Sequence, residues 1–170
     1  MKLLSDHIKN KGEFLNTFGS VFEKSPWIAE KVWEDQSTSL EYSLESIHEQ
    51  MVKIFQSATE AKKLEVLRSH PDLAGKLMVK NKLTIESTLE QKSAGLNNLE
   101  PDEQQLFYSL NKSYILKNKF PFIIAAKGLT SKSILETFKK RVTNPSKIEF
   151  EEACLQVNKI AYLRLIDIFK

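Results

Sequence analysis

Apolar residues at Leu40, Leu44, Ile47, Met51, Ile54 and Phe55 are separated by 4, 3, 4, 3 and 1 positions. That spacing puts all six on one stripe of an α-helix and on no common face of a strand. Helical spacing recurs in nearly every segment, with no sustained alternating run. The 170 residues include five glycines and five prolines, few breakers for this length, and are enough for one well-buried core. The expectation is an all-α fold: a single-domain compact helical bundle of about eight helices over residues 1–170.

Phe14, Leu15, Phe18, Val21 and Phe22 form a first apolar face, and Ser25-Pro26 supplies a cap and first-turn proline for a short helix through Trp33. Thr59 caps a helix with Leu64 and Leu67 inward, and His70-Pro71 interrupts it. Helix is expected to resume through about Met78, loop through Lys80-Asn81-Lys82, restart near Thr84 and stop at Gly95. Pro101 opens a helix carrying Leu106, Phe107, Leu110 and Tyr114, which Phe120-Pro121 ends. Ser131 caps a helix through Phe138 to Arg141. After Asn144-Pro145 a last helix starts near Ile148, with Leu155, Ile160, Leu163 and Ile166 as its core face.

The formal net charge is +3, and the lysines are dispersed among acids rather than drawn into a stripe that would track phosphates, so no nucleic-acid partner is expected. One cysteine, Cys154, excludes an intrachain disulfide and a thiolate zinc site, and it reads as core rather than nucleophile. Met1 to His7 becomes charged before an apolar signal run can form, no later run approaches membrane-spanning length, and Asp167-Ile168-Phe169-Lys170 is not a peroxisomal address. The expectation is a cytoplasmic protein with no membrane partner. Dinucleotide and triphosphate loops are absent, as is ligand spacing for a metal, which makes cofactor-independent chemistry the simplest enzymatic reading. His7 and His48 read as surface residues, and no strand-turn-helix elbow surrounds Ser69.

His70 lies in Ser69-His70-Pro71-Asp72-Leu73-Ala74-Gly75-Lys76. Proline lacks an N–H and disfavours the α conformation in the residue before it, so His70 is expected at a helix start. There the positive dipole end favours a neutral ring able to exchange protons. A capping or core histidine satisfies the same backbone argument. If 84–94 is helical, Ser87, Glu90, Gln91 and Ala94 stand at i, i+3, i+4 and i+7, giving one face a hydroxyl, a carboxylate and a carboxamide. Glu90 either faces the imidazole and fixes its tautomer, or is a solvated surface acid; Ser87 and Gln91 carry the same pair of readings. Phe120-Pro121-Phe122-Ile123-Ile124-Ala125-Ala126-Lys127-Gly128 reads as buried extended chain, whose N–H and C=O groups need partners; a polar ligand is one candidate.

Ser-His-Pro-Asp-Leu-Ala-Gly at 69–75, Leu-Thr-x-Glu-Ser-x-x-Glu-Gln-x-x-Ala-Gly-Leu at 83–96 and Phe-Pro-Phe-Ile-Ile-Ala at 120–125 together resemble the OHCU decarboxylases. Val-Phe-Glu-x-Ser-Pro-Trp-Ile-Ala-Glu at 21–30 and Gln-Val-x-Lys-Ile-Ala-x-x-Arg-Leu at 156–165 extend the resemblance over almost the whole chain. Members convert 2-oxo-4-hydroxy-4-carboxy-5-ureidoimidazoline (OHCU) to (S)-allantoin, the last step of urate oxidation to allantoin.

The resemblance implies an all-helical, cofactor-free homodimer acting on a small-molecule substrate. Carried over by motif position, His70 is the proton donor and Glu90 its acidic partner, while Pro71, Ser87 and Gln91 contact substrate. Phe122, Ile123, Ile124, Ala125 and Ala126 offer backbone groups to the ureidoimidazoline, and Arg164 is a candidate anchor for its carboxylate. Two departures stand out: Asn118-Lys119 replaces a usual Phe-Gly, and an Arg-Pro-Phe often found after the tryptophan-containing helix is missing at 34–39. Asn118-Lys119 keeps open an enzyme for a related ureido or imidazoline acid. A binding protein that kept the fold and lost the chemistry is the further alternative.

Overall fold

A computed structural model describes residues 8–36, 42–74 and 84–170. His7, Leu40, Gly75, Lys76, the expected helix continuation to Met78 and the Lys80-Asn81-Lys82 loop lie outside them. The described residues form helices and no strand: α1 (Lys11–Phe18), α2 (Trp27–Gln36), α3 (Leu44–Ser57), α4 (Glu60–Ser69), α5 (Ile85–Ser93), α6 (Pro101–Asn118), α7 (Ser131–Arg141) and α8 (Ser146–Phe169), with one 3-10 turn at Leu96–Asn98. The fold is all-α, as expected. No helix among the described residues is long and apolar enough to cross a membrane. The chain divides into two compact units, Met1–Ser69 with Asn158–Lys170, and His70–Val157.

In the first unit the expected apolar residues face inward: Phe14, Phe18, Val21, Phe22, Ile28, Val32, Ile47, Met51 and Phe55 are buried. The Phe14 and Phe18 rings meet at 4.9 Å and those of Phe22 and Phe55 at 5.4 Å, tilted contacts that suit the ring quadrupoles. Side-chain caps set the helix starts. Asn10 accepts from the Glu13 amide, Ser43 from Ser46 and Thr59 from Lys62, each satisfying a donor that the first turn leaves open. Ser69, closing α4, hydrogen-bonds through Oγ to the Glu23 and Val66 carbonyls at 2.7 and 2.6 Å.

The second unit is built around α6, whose buried stripe is Phe107, Asn111, Tyr114 and Asn118 at spacings of 4, 3 and 4. Two asparagines thus share a face that apolar periodicity alone does not reveal. Tyr114, Phe122 and Phe138 pack together, the last two rings stacked at 3.9 Å. Glu149 is completely buried and receives Arg141 at 3.0 Å, the Tyr114 hydroxyl and the Asn144 amide. Burial first, then the hydrogen bond to Glu149 and its negative charge, push the Tyr114 hydroxyl upward, so it remains a protonated donor.

Several boundaries differ from the sequence expectation. Thr130, not Ser131, caps α7, because Thr130 and Ser133 form a reciprocal capping box. On α8 the buried apolar residues are Ala153, Val157, Ile160, Ala161 and Leu165, a phase that turns Leu155 out to 52% exposure and leaves Leu163 and Ile166 half-buried. α6 ends on Lys119 in the left-handed conformation (φ 66°), which glycine adopts without strain. Asn118, just before it, is buried with neither amide atom hydrogen-bonded. Asn118-Lys119 therefore sets a residue with a Cβ in a conformation that favours glycine, and buries an amide beside it.

Arg141→Met should destabilise the protein by about 3–5 kcal/mol, because it leaves the Glu149 carboxylate buried without its cation. Urea unfolding measures this; an unchanged midpoint would show that the pair holds nothing together.

Candidate active site

The proline at 71 ends α4, as expected, but His70 is not at a helix start. It follows Ser69, the last residue of α4, and 71–74 is irregular: Pro71 and Asp72 have no regular structure and Leu73-Ala74 form a turn. The dipole argument for a neutral imidazole required a helix N-terminus after Pro71, so it does not apply. His70 is 8% exposed.

α5 begins as expected. The Thr84 hydroxyl accepts the Ser87 amide, and Gly95 follows the helix at φ 73°, a left-handed stop. Its inward face is the one that carries the polar residues. Ser87 and Gln91, four positions apart, are each 3% exposed, Ala94 is buried and Glu90 is half-buried, so this is no solvated stripe. Gln91 makes two bonds at once: its Oε1 accepts from the Ala74 amide at 3.1 Å, and its Nε2 donates to the Asp72 carbonyl at 3.2 Å. Asn111 of α6 donates from Nδ2 to the Leu73 carbonyl between them, at 2.7 Å. Three consecutive residues after His70-Pro71 are thus held by side-chain amides from two helices. Ala74 takes φ 49° in this turn, a conformation that costs a residue with a Cβ about 1 kcal/mol or more.

The run at 121–126 is irregular and mostly buried, as its apolar character suggested. Its backbone groups are partly satisfied by side chains. Arg141 Nη1 donates to the Ile123 carbonyl at 2.7 Å, and the Ala125 amide donates to Gln156 Oε1 at 2.9 Å, with Gln156 itself braced by Glu152. The Arg141 guanidinium also lies 4.4 Å over the Phe122 ring, a cation–π contact. Sequence reasoning missed Asn111, Arg141 and Gln156. The available signal was the polar residue on each otherwise apolar helical stripe.

The second unit therefore brings together Pro71, Gln91 and the turn between 72 and 74, and it also contains Ser87, Glu90 and 122–126. Arg164 belongs to the first unit. There it is buried, with Nη2 2.8 Å from Glu23 Oε2 and Nη1 3.3 Å from the Ser20 carbonyl. His48, read as a surface residue, is half-buried, with Nε2 3.0 Å from the Asn158 carbonyl and its ring edge-on to Tyr162. Two open depressions of about 660 and 420 Å³ in the first unit are lined by α2 and α3 residues such as His48, Lys53, Trp27 and Asp35, and hold none of the candidate site residues.

The described residues thus form an all-helical chain in which the bend after His70 is clamped to the helix bearing Ser87, Glu90 and Gln91. Residues 9–166 match the family model for OHCU decarboxylase, and the chain belongs to that family. It is 38% identical to the 2-oxo-4-hydroxy-4-carboxy-5-ureidoimidazoline decarboxylase of Halalkalicoccus jeotgali over 92% of this chain and 85% of that protein. It is 34% identical to the Xenopus laevis enzyme of the same name over 92% of this chain and 88% of that protein. Among solved structures, the crystal structure of (S)-allantoin synthase superposes with a TM-score of 0.79 at 27% identity, covering 99% of this chain and 54% of that chain.

Burial holds the Asp72 carboxyl above its ordinary 3.8. The folded protein then keeps a proton that the unfolded chain has released, so the favourable contribution is complete below pH 3.8 and is lost as pH rises through the folded-state value. Asp72→Asn should raise Tm near neutral pH, and the gain should vanish below pH 3.8. An equal gain at both would contradict the burial effect.

Proposed function

We propose that this protein decarboxylates OHCU to (S)-allantoin, with His70 delivering the proton and Glu90 as its acidic partner. The observation that carries the reading is the Gln91 bridge to Asp72 and Ala74, which ties the helix bearing Ser87 and Glu90 to the bend bearing His70. Family membership over 9–166 supplies the reaction.

The residues suit the chemistry. When the bond from C4 to the carboxylate breaks, carbon dioxide leaves and the electron pair stays on the substrate, where the conjugated ring delocalises it. The protein has then to orient the carboxylate, exclude water and supply one proton to one face. His70 is buried beside a stiff proline, so its direction of approach is restricted. Glu90 fixes the imidazole tautomer and replenishes its proton. Pro71, Ser87 and Gln91 contact the substrate, and 122–126 offers backbone groups other than the Ile123 carbonyl and Ala125 amide to the ureido and ring nitrogens and oxygens. Arg164, oriented by Glu23, is the candidate anchor for the carboxylate. No cofactor enters this scheme.

The same reading makes the protein a cytoplasmic homodimer whose partner is a small-molecule substrate, with neither nucleic acid nor membrane involved; light scattering should give twice 19.6 kDa. One observation favours a second reading, an enzyme for a related ureido or imidazoline acid: Asn118 buries an amide without partners where the family pattern has Phe. A panel of ureido acids separates the two.

With OHCU generated fresh from urate and its absorbance followed, the protein should accelerate substrate loss. His70→Ala and Glu90→Ala should each lower turnover by at least about a hundredfold while leaving the helical circular dichroism intact. Near-normal rates in either folded variant would remove that residue from the mechanism.

A further inference from the structure

Asn111 belongs to none of the motifs and is 4% exposed on the buried stripe of α6. Its Nδ2 donates to the Leu73 carbonyl at 2.7 Å, yet its Oδ1 is buried with no hydrogen-bond partner. An orphaned buried acceptor disfavours folding, and Phe107 and Tyr114, four residues before and three after, would be better continued by an apolar side chain. The residue therefore brings one thing that leucine would not: a hold on the middle carbonyl of the turn after His70-Pro71. Gln91 takes the carbonyl before and the amide after, so the two side chains together fix Asp72, Leu73 and Ala74, including the strained φ of 49° at Ala74. Pro71 has a fixed φ and restricts His70, so a displacement of this turn is passed to the imidazole with little slack.

We propose that Asn111 is a positioning residue for His70, acting through the Leu73 carbonyl rather than by touching substrate. The proposal rests on the decarboxylase reading for its kinetic consequence, but not for its structural one. Losing the hold lets the bend shift by a fraction of an ångström to an ångström, enough to misdirect a proton donor. Substrate contacts from Ser87 and from 122–126 are untouched.

The test compares Asn111→Leu with the wild type and with Leu116→Ala, an exposed position on the same helix. Asn111→Leu should keep Tm within about 4 °C, since the orphaned Oδ1 disappears as the Leu73 carbonyl loses its donor, leaving one unsatisfied acceptor in either protein. Its kcat should fall at least about tenfold with KM within about twofold, the mark of an interaction that matters in the transition state. Independently of any substrate, the His70 ring resonances, assigned by their absence from His70→Ala, should move in Asn111→Leu and stay put in Leu116→Ala. Unmoved ring resonances, or a kcat loss that merely tracks a fall in stability, would overturn the proposal. Asn111→Asp, which keeps the shape and lacks the donor, repeats the measurement if the leucine variant does not fold; failure of both to fold would assign Asn111 to stability alone and also overturn it. Moved resonances with no OHCU turnover by the wild type would retain the positioning role and discard the substrate assignment.

Discussion

Buried backbone that is neither helix nor sheet must have its N–H and C=O groups satisfied by something else, and the second unit of this all-helical protein meets that demand with side chains. Two irregular stretches among its described residues, 71–74 and 121–126, carry motif residues. Gln91 and Asn111 serve the first; Arg141 and Gln156 serve the second. Each supporting side chain sits on the inward face of a helix, where an apolar residue would pack at less cost. Arg141 shows how far the demand extends: it holds the Ile123 carbonyl only because Glu149 neutralises it, and Glu149 is in turn bonded by Tyr114 and Asn144. A charged network buried to this degree adds little net stability against an apolar replacement. What it secures is the placement of a peptide segment.

The helices were the most legible part of the sequence, because their signals are local. Apolar spacing in 44–55, the Thr59 cap, Pro101 and the Gly95 stop all act within one or two turns, and each reappears at its place. Helix phase was less legible where apolar residues lie all round. On α8 Leu155 is as hydrophobic as its neighbours, yet Ala153 and Val157 set the inward face and leave it exposed. Polar residues on buried stripes are hard to recognise for a related reason: Asn111, Asn118 and Gln156 look like surface residues until their long-range partners, or the lack of them, are known.

At the candidate site the residue types were legible and their surroundings were not. Pro71 does break the helix at His70, but the following residues turn instead of restarting a helix, so a helix end stands where a start was expected. Spacing puts Ser87 and Gln91 on one face of α5 without deciding between a site and a solvated surface, and only the partners at Asp72 and Ala74 show why that face is buried. The pairing of Arg164 with Glu23 spans 141 positions of sequence, a separation at which no local pattern gives warning. The substitution of Asn118-Lys119 for Phe-Gly is legible as a departure; its consequence, a left-handed lysine beside an unsatisfied amide, needed the backbone.

The proposed reaction requires the scaffold to deliver one proton to one face of a decarboxylated intermediate. The most direct measurement is the handedness of the allantoin formed when OHCU is produced from urate by uricase and hydroxyisourate hydrolase in the presence of this protein. Circular dichroism should show the (S) enantiomer accumulating faster than unaided decay allows. Racemic product at the uncatalysed rate, from protein shown to be folded, would contradict the account.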